Sequence, residues 1–532
     1  MSDEGGGRGL PSFIAHRSSL SDWLQDHALA LCLPVQAALL LAVPDHLPPW
    51  GDEYSSLTRA ALPAAQLLEA LRHNVHPPLY PALLQAWLAL PWQAPALLRA
   101  RVLSALLLLA TTLVLDRTWL RRVDARTRLW FLVLWTCSPA LLLYGRMARS
   151  YGLQLLLAPL ALWLGWRAVR APTARRAVAY SAVVTLLLYT HYLPGLAVLA
   201  AVAVHAAWRL AITREPAVLR ALLLPVAIVG LAYAAWLPAL GGAISRVEQG
   251  TPYSPLGHRW LDTGVALAYA LVSFSVGESL WPWMSLGLVP LAAGLAVLLW
   301  RALCSPPPWL ALVVPAAAIA FAGASQWVSF AFVAARLLFL LPFYLLLLLH
   351  GARNAPRLRA TVGGLWLALS LGGVGAYFAG VGFLNQAYVI PVEAIARAMA
   401  PRDGAAAPLL VLDHRNINLT PVLLYLPATT RVRLVEDAAA ADAAAVLATA
   451  PDGELWFAHA SHDSSPGGWN ARIDAAWSGR CPVSRQRFAP YSTLDRQLMR
   501  LAGWPTQPTH VVELLELRCP PPAGTVAAAP AR

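Results

Sequence analysis

The stretch Leu129-Trp130-Phe131-Leu132-Val133-Leu134-Trp135-Thr136-Cys137-Ser138-Pro139-Ala140-Leu141-Leu142-Leu143-Tyr144-Gly145-Arg146-Met147-Ala148-Arg149-Ser150-Tyr151 decides the fold. Residues 129–144 form an apolar run that ends at two arginines. A bilayer core takes roughly 20 apolar residues as helix, so such a run reads as a membrane span. Similar runs lie at 28–47, 100–115, 151–168, 177–192, 194–210, 218–238, 284–300, 309–328, 336–349 and 361–381. The expectation is a mainly α, polytopic membrane protein with about 11 transmembrane helices.

Composition agrees. Of 532 residues, 58% are hydrophobic and 13% charged, with a mean hydropathy of +0.55. Soluble domains carry about 25% charged residues, so a disordered chain is excluded and a purely soluble one is disfavoured. The 40 basic residues are all arginine and exceed the 27 acidic ones, giving a net charge of +13. The arginines lie between apolar runs, so they read as orientation signals rather than a nucleic-acid surface. Arg, Ala, Leu and Trp usage suggests a GC-rich bacterial coding bias.

Arginines crowd alternate loops: Arg117 to Arg128, Arg167 to Arg176, Arg209 to Arg220, and Arg353 to Arg359. These loops are expected on the cytoplasmic side. The other set holds Asp52-Glu53, Arg146 to Arg149, His191, the segment 241–282 and the approach to Arg336, and is expected outside. Residues 1–26 read as a cytoplasmic tail without a removable signal peptide, and 28–47 as an uncleaved anchor. Residues 27–384 form the membrane domain. Residues 385–532 read as a small α/β domain outside the cytoplasm. Its expected strands are 408–413, 431–435, 454–458 and 511–517, with an alanine-rich helix at 437–449. Cys481 and Cys519 can pair if that tail is extracytoplasmic. Cys32, Cys137 and Cys304 sit in or beside apolar runs. Asn418-Leu419-Thr420 fits a glycosylation acceptor, which matters only in a eukaryotic secretory route.

The outward loops carry the candidate chemistry. Asp52 and Glu53 either take a proton from an attacking hydroxyl or cap the following amphipathic helix. His76, fixed by Pro77 and Pro78, is an acid, a phosphate donor, a metal ligand or an interface anchor. Arg146 and Arg149 stand outside against the positive-inside bias; they bind an anion or snorkel from a span end. Arg336 has the same two readings. His191, between two spans, reads as a satisfied structural histidine. No glycine-rich phosphate loop is present, which sets aside an ATPase.

In order, these residues resemble the GT-C superfamily of polytopic glycosyltransferases, nearest to bacterial protein-mannosyltransferase-like and aminoarabinose-transferase-like enzymes. The likeness runs over about 28–380. It rests on Asp52-Glu53, His76-Pro77-Pro78-Leu79-Tyr80, Leu83, Leu84, Trp87, Arg99, Ser104, Ser138-Pro139, Ala148-Arg149-Ser150-Tyr151, Thr190-His191-Tyr192 and Arg336 to Pro342. The tail looks like the small extracytoplasmic domain many such proteins carry. Met147 and Arg146 depart from the family pattern, which often has an acid and a glutamine there. The departure leaves two arginines for a phosphate.

The resemblance implies transfer of a hexosyl or pentosyl group from a polyprenyl-phosphate donor. The acceptor is an envelope glycan, lipid or protein on the outer face of the cytoplasmic membrane. Asp52 is the implied general base and Glu53 its positioner. Arg149, Arg336 and Arg146 are the implied phosphate partners, and His76, Tyr80, Tyr151 and His191 line the substrate site. No cofactor is implied, although His73, His76 and the two acids are near enough in sequence for a divalent metal. A transporter or lipid-linked-sugar flippase is the alternative; it predicts midplane sites and repeat symmetry.

Overall fold

The computed structural model describes residues 20–249, 259–281, 284–326, 334–399, 409–413, 418–427, 429–435, 454–461, 482–489, 497, 500–501, 503 and 511–518. Residues 1–19, the helix expected at 437–449, Cys481 and Cys519 lie outside the described residues.

Helices α1 (Leu20–Asp26) and α2 (Ala28–Leu41) are followed by three shorter ones: α3 (Gly51–Ala60), α4 (Ala64–Arg72) and α5 (Leu79–Leu88). Then come α6 (Ala96–Arg117), α7 (Ala125–Thr136), α8 (Pro139–Arg146), α9 (Tyr151–Arg170), α10 (Ala174–Leu188) and α11 (Tyr192–Thr213). The series continues with α12 (Pro216–Tyr233), α13 (Leu237–Gln249), α14 (Arg259–Val276), α15 (Ser285–Cys304) and α16 (Leu310–Gln326). Last are α17 (Leu341–Gly351), α18 (Pro356–Ala379) and α19 (Val392–Ala398).

Among the described residues, seven helical segments are long and apolar enough to cross a membrane, or eight if α7 and α8 form one span bent by 53°. Eleven spans of that kind are therefore not found, for local reasons. The bend falls where Ser138 caps a new helix, its Oγ accepting from Leu141 N, and Pro139 occupies its first turn. Proline fits that position because its missing N–H has no helical partner there. The run at 28–47 forms the 14-residue α2, the run at 177–192 the 15-residue α10, and the run at 309–328 the 17-residue α16. Conversely, the segment taken as a long outward loop contains the apolar helix α14.

Helices α9 and the segment Ala334–Gly351 are the most buried spans. The N-terminal ends of α6, α9 and α11 gather at one end of the bundle, with the C-terminal ends of α8, α10 and α14. Across that end lie α3 and α5, and the loop 42–50.

The tail forms a five-stranded sheet of β1 (Leu409–Asp413), β2 (Arg431–Val435), β3 (Glu454–Ser461), β4 (Pro482–Phe488) and β5 (Val511–Arg518). The order is β2-β1-β3-β5-β4. Strand β1 pairs in parallel with β2 and β3, and β5 runs antiparallel to β3 and β4. Ile390 and Ile395 of the α19 region pack with Leu410, Leu412, Trp456 and Leu514 in a core separate from that of the bundle. The sheet unit touches the bundle at α3: Trp50 Nε1 donates to Asn418 Oδ1 at 3.0 Å.

Candidate functional site

Helix α3 places two carboxylates side by side in sequence but in different surroundings. Glu53 is 1% exposed and fully engaged. Its Oε1 accepts from Arg101 Nε at 2.9 Å and Ala148 N at 2.8 Å. Its Oε2 accepts from Arg101 Nη2 at 2.8 Å and from Trp50 N at 3.0 Å. The last contact is the reciprocal half of a capping box. Burial alone would raise this carboxyl. Arg101 and the two backbone donors outweigh that and hold it below the usual carboxylate range. With four donors on two oxygens, Glu53 acts as a structural anchor. Arg101 also donates to the carbonyls of Pro44, Leu47 and Pro48, fixing the loop before α3.

Asp52 points the other way. Its side chain is 26% exposed, and Oδ2 lies 3.1 Å from Arg149 Nη2. Arg149 is held on several sides: Nη1 donates to Asp52 O and Ser56 Oγ, and Nη2 to His76 Nε2, each at 3.3 Å. Its Nε is buried and has no partner among the described residues. Burial opposes the charge on Arg149, and Asp52 and Tyr151 more than offset it. Arg59, about two turns beyond Asp52 along α3, is the next cation; burial, then Arg149, pushes its pKa down.

His76 is placed by its own loop. Its N–H donates to Asn74 Oδ1 at 3.2 Å, and beyond Pro77-Pro78 the Leu79 N–H donates to Tyr189 O at 2.9 Å, tying the turn to the end of α10. That tie brings His76 toward His191. Burial first, then Arg149, Arg59, His191 and Arg336, hold His76 well below its usual pKa. His191 is pushed down to about 3 by burial, Arg336 and Arg149. Both imidazoles are therefore neutral at physiological pH. Since an arginine only donates, His76 Nε2 is an acceptor and its proton sits on Nδ1. Tyr151 lies at the start of α9, where its hydroxyl acts electrostatically on the Arg149 guanidinium. Tyr80 is 3% exposed in the first turn of α5 and acts on the same guanidinium. Arg336 opens the helical turn before α17; its backbone O accepts from Gln154 Nε2 at 3.2 Å, and its charge acts on both histidines.

The structure thus gathers Asp52, His76, Tyr80, Arg149, Tyr151, His191 and Arg336 into one cluster. Arg146 stands apart. Its Nη2 donates to Ala42 O at 2.9 Å and to Val43 O, closing the C-terminus of α2. Its guanidinium lies over Tyr377 and Phe378, at 5.4 and 5.6 Å. Within the turn, Arg149 pairs with Asp52, while Arg146 spends only Nη2 on backbone carbonyls, its Nε and Nη1 having no partner among the described residues. A metal centre from His73, His76 and the acids is not assembled. His73 turns away to Glu69 on an exposed face, at 2.9 Å, and Glu53 is spent on Arg101. Among the described residues, no three His, Cys, Asp or Glu side chains group as a metal would need.

Three participants were not foreseen. Arg101 and Arg59 are described above. The third is Glu278, 1% exposed, which accepts from the hydroxyls of Tyr144, Tyr269 at 2.5 Å and Ser273 at 3.0 Å. Burial raises its pKa, and the three hydroxyls offset only part of that. Gly277 makes the placement possible: its φ of +81° ends α14, and a Cβ there would sit 2.4 Å from Pro139 Cβ. Tyr144 stands edge-on to Tyr151 at 5.5 Å, so Glu278 supports the wall of the cluster.

No protein-family profile matches this chain, and no curated protein does. Solved structures do. ArnT from Cupriavidus metallidurans in the apo state superposes with a TM-score of 0.55 at 14% identity, covering 94% of this chain and 98% of that one. ArnT from the same organism bound to undecaprenyl phosphate gives 0.51 at 14% identity, with the same 94% and 98% coverage. The Archaeoglobus fulgidus oligosaccharyltransferase complex with Zn and sulfate gives 0.48 at 13% identity, over 85% and 70%. The chain shares the ArnT fold, which is the fold the resemblance led one to expect.

Proposed function

We propose that this protein transfers a sugar from a polyprenyl-phosphate donor to an acceptor hydroxyl at the outer face of the cytoplasmic membrane. The observation that carries the reading is the pairing of a solvent-reaching carboxylate, Asp52, with a guanidinium cluster at one end of an apolar bundle. A lipid phosphate carried in the membrane meets the protein at that level. The shared fold with an ArnT that holds undecaprenyl phosphate supports the same donor class.

The chemistry follows from the contacts. The acceptor O–H gives its proton to Asp52 as its oxygen attacks the anomeric carbon. The bond from that carbon to the phosphate oxygen breaks, and the electron pair leaves with the phosphate. Arg336 and Arg59 lie where they neutralise the charge that develops on the leaving group, and Arg149 shares itself between phosphate and base. A single displacement inverts the anomeric carbon. Arg149, braced by neutral His76 and Ser56, keeps Asp52 ionised and aimed. Glu53 holds α3 so that Asp52 reaches solvent.

The test is retention of the leaving lipid. Purified protein is titrated with undecaprenyl phosphate and followed by native mass spectrometry. Arg336→Gln is expected to weaken retention at least tenfold. Equal retention by wild type and variant contradicts a leaving-group role for Arg336.

A further inference from the structure

A cavity lies at the end of the same helices opposite the Asp52 cluster. It has a volume of about 860 Å³ and is bounded by the C-terminal turns of α9 and α11, the Pro306-Pro307-Pro308 run and the start of α16. Helix α9 has 20 residues, so it separates this cavity from Tyr151 by about 30 Å. The size is that of a small-molecule site.

Its walls are amphipathic in an ordered way. Trp166, Trp208 and Ile212 supply apolar surface; Trp208 is 56% and Ile212 64% exposed, so the groove opens on the flank of the bundle. Three basic side chains line it. Arg170 is exposed, its guanidinium over the Trp166 ring at 5.1 Å. Arg209 has a buried Nε without a partner, while its Nη2 lies 3.7 Å from Glu215. His205 is 7% exposed, stacks on Trp208 at 5.7 Å, and has a buried Nδ1 without a partner. Among the described residues neither atom has a partner, and buried polar atoms of that kind are costly and suit a ligand's polar group.

We propose that this groove binds one anionic phospholipid of the bilayer. The phosphate lies between Arg170, Arg209 and His205, and a chain follows Trp208 and Ile212. The walls argue for a lipid over a free anion, because a soluble anion gains nothing from exposed tryptophan and isoleucine. The opening on the flank argues for a bulk lipid of the leaflet. The inference stands whatever reaction the other end performs.

The full-length protein in detergent is titrated with phosphatidylglycerol and, separately, phosphatidylethanolamine, and bound lipid is counted by native mass spectrometry. One phosphatidylglycerol is expected to be retained at a concentration where the zwitterionic lipid is not. Arg170→Gln with Arg209→Gln is expected to weaken retention at least fivefold. Ile212→Trp, which narrows the apolar wall without changing charge, is expected to do the same should the charge variant fail to fold. Arg336→Gln, at the other end, is expected to leave this retention unchanged. Equal retention of both lipids, displacement by inorganic phosphate, preferential retention of undecaprenyl phosphate, or indifference to the groove variants would each overturn the proposal.

Discussion

Successive residues on a helix point about 100° apart, and on α3 that rotation separates two carboxylates by role. Glu53 turns inward to Arg101 and Asp52 outward to Arg149. Removing one partner of a buried ion pair leaves the other charged and unpaired, at about 3–5 kcal/mol. Glu53→Ala is therefore expected to lower thermal stability by that order, and Glu53→Ala with Arg101→Met to recover part of it; additive losses would contradict the pairing. The histidines give a pH signature. Unfolded histidine binds a proton near pH 6.5, whereas His191 does so only at about 3 and His76 well below its usual range. Below about pH 6.5 the unfolded chain takes up more protons, so stability is full near neutrality and falls as the pH drops. The variant His76→Gln with His191→Gln should show a flatter decline between about pH 6.5 and 5 in unfolding scans. Asp52, His76, Arg149 and Arg336 were legible because polar residues stand out at the ends of apolar runs. Arg101 hid one turn inside such a run. Glu278 did give a signal: it is the only acid between Asp262 and Glu393. A lone acid in apolar surroundings needs partners, but nothing in sequence names Tyr144 and Tyr269 as those partners.

At the scale of elements, hydropathy located the helices but not their breaks. A window average passes over Ser138-Pro139, where a cap and a proline start a new helix and bend the span. The same averaging merged α2 with the connection that follows Leu41. Strand β4 escaped because Ser484, Arg485, Gln486 and Arg487 give an edge strand no apolar pattern, whereas the apolar strands β1, β3 and β5 announced themselves. Close helix packing yields a direct test. A Cβ on Gly351 of α17 would lie 1.9 Å from the Leu298 carbonyl oxygen of α15. Backbone cannot give way as a flexible side chain can, so Gly351→Ala is expected to cost upwards of about 1–3 kcal/mol. Thermal unfolding in detergent reads it; an unchanged midpoint would contradict the packing of α15 on α17.

For the whole molecule, the arginine-rich loops and the Asp52 cluster lie at opposite ends of the bundle, and the positive-inside bias predicts the cytoplasmic side for the former. Single cysteines at Asp45 and Arg175 test it in a background lacking the native ones. The Asp45→Cys site is expected to react with a membrane-impermeant reagent in intact spheroplasts, and Arg175→Cys only after lysis. The opposite pattern would put the site on the wrong side for an envelope acceptor. The sheet unit rests on the start of α3 through Trp50 and Asn418, two residues before Asp52 in the chain. Asp52 is the proposed base of the sugar transfer. Its most direct test compares envelope glycans and polyprenyl-phosphate sugars by mass spectrometry in wild-type and Asp52→Ala cells at matched protein levels. One sugar is expected to disappear from an acceptor while its lipid-linked donor accumulates. Unchanged glycans from a fully expressed variant would contradict it.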